Sequence, residues 1–95
     1  MRNALIAKHV HRIRRIARRH GVVRLRVFGP RASGRAAASS DLDLLVDLKP
    51  ERDLLDLVEF KLEIERLLGR EVDVVTEGAL SPYLRARILR QARPL

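Results

Sequence analysis

The chain has 95 residues, 46% of them apolar, no cysteine, and 20 lysines and arginines against 12 aspartates and glutamates, a formal net charge of +8. That length suits one domain over residues 1–95 and leaves little room for a deep private substrate pocket, while the apolar share exceeds that of a disordered chain. Without cysteine there is no disulfide, thiolate nucleophile or zinc–thiolate site, and no apolar run reaches the roughly 20 residues of a membrane span or forms the core of a signal peptide, so the expected address is cytoplasmic, away from membranes.

The first element is a helix from about Asn3 to His20, with Ile6, Val10, Ile13 and Ala17 on one stripe, Leu5 and Ile16 widening it, arginines opposite and Gly21 ending it. Val23, Leu25 and Val27 then alternate with Arg24 and Arg26 as a strand that Gly29-Pro30 stops. Arg31 to Ser40 is rich in small residues and lacks apolar periodicity, which predicts a loop with at most a helical turn.

A second strand, Leu42 to Leu48, sets Leu42, Leu44, Val46 and Leu48 on one face and Asp41, Asp43, Leu45 and Asp47 on the other. After Lys49-Pro50, Asp53 to Leu68 reads as a broadly buried helix stopped by Gly69, and Glu71 to Thr76 as a third strand. Ser81-Pro82 supplies an N-cap and a first-turn proline for a last helix through Leu89, with Tyr83 assigned to the core. The fold class is therefore α/β (α+β): a small mixed sheet of three or slightly more strands in the order α-β-(short α)-β-α-β-α.

Charge divides the chain. Residues 1–40 carry eleven basic and no acidic side chains, residues 41–77 five basic and twelve acidic, and residues 78–95 four basic and none acidic. Basic flanks around an acidic centre suit a phosphate-bearing ligand held through a cation, and they also suit nucleic-acid binding. Only Phe28, Phe60 and Tyr83 are aromatic, which gives a nucleic-acid-binding domain no stacking platform. His9, His11 and His20 are not spaced to share a metal and are read as surface residues, which leaves carboxylates as ligands.

Asp41 and Asp43 leave the same face of one strand with α-carbons about 6–7 Å apart, close enough to reach one ion. Like charges that close repel unless a cation or proton lies between them, and hard oxygen donors favour magnesium. Asp73, set among Val72, Val74 and Val75, is the candidate third ligand and general base, whereas Asp47 is read as a solvated strand end. Two magnesium ions about 4 Å apart could activate a hydroxyl and hold a triphosphate. Gly29 and Gly34 allow close approach to phosphates, with Arg31, Ser33, Arg35, Ser39 and Ser40 as donors.

The run Gly29-Pro30-Arg31-Ala32-Ser33-Gly34 followed by Ser40-Asp41-Leu42-Asp43 resembles the signature of minimal nucleotidyltransferases of the DNA polymerase β superfamily, and the flanking helices and the Val72–Val75 strand fall where that fold places them. The resemblance implies magnesium ligands at Asp41, Asp43 and Asp73, triphosphate contacts around Gly29 to Gly34 and Ser40, and ATP as substrate. It also implies an antitoxin that transfers AMP to a tyrosine of a helical ribonuclease toxin of the HEPN type, hence a hetero-oligomer. Pro30 stands where the family has serine, and it has neither a hydroxyl nor an N–H to offer a phosphate. Ser33 stands where an arginine is common. These departures make an unreactive interaction module that masks its partner the alternative to an active enzyme.

Overall fold

The computed structural model describes residues 4–29 and 42–95. Helix α1 (Ala4–Arg19) buries Ile6, Val10, Ile13, Ile16 and Ala17, the stripe that its 3.6-residue spacing predicts. It stops at Gly21, whose φ of +74° is the left-handed conformation that glycine adopts without a Cβ penalty.

Strand β1 (Val22–Phe28) follows at once and pairs antiparallel with β2 (Leu42–Leu48). The register slips between Val22 and Arg24, so Val23 is the extra residue of a bulge. This corrects the simple alternation: Val22 is buried while Val23 is 59% exposed, and only from Leu25 onward do the apolar side chains follow the predicted face.

Strand β2 pairs in parallel with β3 (Val72–Thr76), and α2 (Leu54–Leu68) is the crossover that a parallel connection requires. The fourth strand, β4 (Arg93–Pro94), pairs with Val27 and Arg26 and completes the order β3-β2-β1-β4. Its two residues were too few to leave a periodic signal. Leu42, Leu44 and Val46 of β2, with Val27 and Val72 beside them, meet Ile13 of α1 and Phe60 and Ile64 of α2 in one core. Each of these large side chains taken fully out of water contributes roughly 1.5–3 kcal/mol.

Helix α2 begins with a reciprocal capping box. Asp53 Oδ1 accepts from the backbone N–H of Leu55 at 3.0 Å and of Asp56 at 3.3 Å, and Asp56 Oδ2 accepts from the N–H of Asp53 at 3.0 Å. Asp56 is held below the ordinary carboxylate range by that bond from Asp53 and then by Arg52. Asp53→Ala should lower the stability by about 1 kcal/mol, read as a shift of the urea midpoint at unchanged slope. The expectation of a broadly buried helix is corrected here. Phe60, Ile64 and Leu68 are buried, but Leu54, Leu55, Val58 and Leu62 face outward.

Helix α3 (Pro82–Gln91) starts as expected, with Ser81 Oγ accepting from the N–H of Tyr83 at 3.2 Å and Pro82 in the first turn. No α3 residue is fully buried, and Tyr83 is 94% exposed rather than in the core, because α3 lies on the polar face of β1. His20 is corrected in the opposite direction. Its side chain is mostly covered, its Nε2 lies 2.9 Å from Glu63 Oε1, and its ring meets Phe60 edge-on. The bond to His20, followed by the charge of Arg19, keeps Glu63 below its usual range. No helix of the described residues is long and apolar enough to cross a membrane.

Candidate active site

The second face of the sheet carries the predicted carboxylates Asp43 and Asp73. Antiparallel partners share a face, so Phe28 stands beside Asp43 and Arg26 beside Leu45. In the parallel pair, Asp43 is level with Asp73 and Leu45 with Val75. Adjacent strands lie about 4.8 Å apart, which brings two carboxylate-bearing positions side by side on one face. Asp43 is half-buried and Asp73 exposed, so this end of the face is open to a ligand.

Gly29 ties the end of β1 to this pair. Its φ is +75°, and a Cβ built on it would collide with Asp43 Oδ2 and come within 3.3 Å of Asp43 Cγ. The Asp43 carboxylate therefore rests against the bare α-carbon of Gly29. The glycine is needed twice, for the left-handed turn out of β1 and for the space it leaves the carboxylate.

The other half of the face is closed. Leu45 is fully buried there, and the 3₁₀ turn Glu77–Ala79 lies against β2. Arg26, also buried, reaches Glu77 Oε2 at 3.5 Å and Asp47 Oδ2 at 3.7 Å, and Arg85 of α3 donates to Glu77 Oε1 at 3.0 Å. Asp47 is thus a partner of a buried arginine and not the solvated strand end expected. Sequence reading missed this network because Arg26 fitted the polar half of an alternating strand, and nothing local indicates that a turn some fifty residues later covers it.

Arg85, and less strongly Arg26, hold the Glu77 carboxyl below the usual glutamate range. Since its pKa is lower in the folded chain than in the unfolded one, the ionised network stabilises the fold above about pH 4.3, and that contribution is lost as the pH falls further through the folded-state value. In Glu77→Gln protein the drop in melting temperature between neutral pH and about pH 3 should be smaller than in the wild type.

A second carboxylate fastens α2 to the site's outer strand. Glu65 Oε2 accepts from the N–H of Val72 at 3.0 Å and from Lys61 Nζ at 2.9 Å, immediately before Asp73. Lys61 is raised above its ordinary range, first by Glu65 and then by the nearby Asp73 and Glu71. This anchoring fixes the start of β3, and with it the level at which Asp73 stands.

The predicted site residues thus divide. Gly29, Asp43 and Asp73 come together, whereas Asp41, Pro30, Arg31, Ser33, Gly34 and Ser40 lie outside the described residues. Among the described residues no three metal-ligating side chains form a group. Two oxygen donors level on adjacent strands are nevertheless the kind of ligand that a hard divalent cation takes.

A family model of the nucleotidyltransferase domain matches residues 10–95. The chain belongs to the nucleotidyltransferase family. It is an enzyme of that class by membership, and its mixed sheet is the family's fold. The protein adenylyltransferase MntA of Thermococcus cleftensis is 37% identical over 73 residues, which span 77% of this chain and 74% of that protein. A solved structure of a candidate minimal nucleotidyltransferase superposes with a TM-score of 0.87 at 45% identity, covering 100% of this chain and 97% of the other. A crystal structure of a toxin–antitoxin with AMP-PNP gives 0.74 at 21% identity, covering 88% and 69%, a likeness of fold.

Proposed function

We propose that this nucleotidyltransferase moves AMP from ATP to a hydroxyl of a protein partner, a helical ribonuclease toxin of the HEPN type, and so acts as its antitoxin. One observation carries the reading: Asp43 and Asp73 are level on adjacent strands with the Gly29 turn packed against Asp43. The name of the Thermococcus relative supports protein adenylylation, and the toxin–antitoxin neighbour, solved with an ATP analogue, supports both the nucleotide and the kind of partner. Asp41, Asp43 and Asp73 would hold magnesium, which when bound offsets the negative charge of the triphosphate.

The chain's own residues supply the rest. The acceptor hydroxyl attacks the α-phosphorus of ATP, a new P–O bond forms, and the bond to the bridging oxygen breaks to release pyrophosphate. Asp73, exposed on the open end of the face, takes the hydroxyl proton. The Gly29 turn brings backbone close to the phosphates, and Arg31, Ser33, Gly34 and Ser40 follow it in sequence as the phosphate-binding stretch. An open carboxylate face admits a side chain presented on another protein, which suits a macromolecular acceptor.

Incubating the protein with its toxin, magnesium and α-labelled ATP tests the proposal. Label should appear on a toxin tyrosine, and it should be lost in Asp41→Asn, Asp43→Asn protein. A stable complex that never becomes labelled would support the masking module that Pro30 suggests.

A further inference from the structure

Helix α2 shows solvent a face that it should hide. Leu54 is 71% exposed, Leu55 65%, Leu62 47% and Val58 42%. Residues 55, 58 and 62 follow the three-then-four spacing of a coiled-coil seam, continued by Glu65 and Gly69 along the same side. Phe60, Ile64 and Leu68 already commit the opposite side to the core, so this is a second, separate apolar stripe.

The stripe is uneven along its length. Its N-terminal half is a ridge of Leu54, Leu55 and Val58, whereas its C-terminal half borders a shallow groove lined by Leu62, Glu65, Arg66, Gly69, Arg70 and Glu71. A Cβ at Gly69 would meet nothing within 4 Å, so the groove is open there. Ridge and groove border opposite halves of one helix, an arrangement that complements itself when the helix is turned end over end.

The charges repeat that symmetry. Glu59 and Arg66 are seven residues apart, on the same flank of the stripe, and neither has an ion pair among the described residues. On the other flank, Glu65 is already held by Lys61 and the Val72 N–H. About a two-fold axis level with Leu62, the two helices run antiparallel and each Glu59 comes opposite Arg66 of the partner subunit. The same axis sets Leu62 against its own counterpart and lays Val58 and Leu55 along the partner's groove. A helical segment of another protein would need to supply both features independently, whereas a second copy of this chain has them already.

We infer that α2 is a homodimerisation surface, formed by antiparallel pairing of Leu55, Val58 and Leu62 across a two-fold axis and flanked by reciprocal Glu59–Arg66 ion pairs. The site face is built on β2, β3 and Gly29, so the inference does not rest on the proposed reaction. Fifteen residues of helix give a seam only about 22 Å long, so the dimer is weak and concentration-dependent.

Sedimentation equilibrium of the full chain over a concentration series up to millimolar tests this, with circular dichroism as the check of folding. The wild type should approach twice its monomer mass, and Leu55→Asp, Leu62→Asp protein should stay monomeric with an unchanged spectrum. Glu59→Arg and Arg66→Glu should each weaken association at least tenfold, and the two together should restore it. That reciprocal rescue is specific to a self-pairing helix, and Leu→Asp protein that misfolds does not affect it. A wild type monomeric throughout would overturn the inference, as would a dimer indifferent to both charge reversals. So would association only with a helical partner protein.

Discussion

Asp73→Asn should cut nucleotidyl transfer by more than about a hundredfold while changing folding stability by less than about 0.5 kcal/mol. The two halves of that expectation have different physical sources. Asp73 is exposed, and its strand is held by Glu65 and by pairing to β2, so the amide replaces the carboxylate without disturbing a packed neighbour. The amide cannot take a proton from an attacking hydroxyl, and it is a far poorer ligand for a hard cation. Asp43→Asn should lower the rate as strongly. Initial rates of label transfer, alongside thermal melts, separate the two halves. A variant that keeps its rate would remove Asp73 from the reaction, and one that melts much earlier would make it a structural residue.

The division of the sheet explains why such substitutions should be cheap in stability. Core strength comes from the opposite face, where Leu42, Leu44, Val46 and Phe60 are fully buried. On the other face, Leu45 and the Arg26–Glu77–Arg85 network occupy one half, and the half-buried Asp43 and exposed Asp73 stand at the other end. One strand thus serves both purposes, since its period of two sends leucine and valine one way and aspartate the other.

That period is also why so much of the fold is legible in the sequence. The β2 faces, the Gly21 and Gly69 stops and the Ser81-Pro82 start are each written in neighbouring residues, and the structure has them where the spacing puts them. What failed depended on distant residues. The Val23 bulge is set by pairing with β2, the exposure of Tyr83 by α3 lying over a polar strand face, and the half-exposed state of α2 by how much sheet there is to cover. An apolar run at helical spacing says that a helix wants burial, and it does not say whether its own chain supplies the cover. At the site, the pairing of Asp43 with Asp73 followed from strand alternation once β3 was placed beside β2. The contact between Gly29 and Asp43 did not, because it depends on where β1 ends relative to β2.

Gly29→Ala should lower stability by about 1–3 kcal/mol and the transfer rate by more than about tenfold. Part of the loss is local, because an L-residue held at a φ of +75° pays about 1–2 kcal/mol. The rest is the collision with the Asp43 carboxylate, which can be relieved only by moving the turn or rotating Asp43 away from Asp73. Gly69→Ala separates these two costs. Gly69 has a φ of +69° but open space where its Cβ would be, so it pays the backbone cost alone. The excess loss at position 29 over position 69, measured by urea unfolding, therefore estimates the contact with Asp43. A cycle with Asp43→Ala should recover that excess, because the shortened side chain no longer meets the new methyl. If Gly29→Ala matched Gly69→Ala in stability and kept its transfer rate, the close approach of turn and carboxylate would have no part in holding the site.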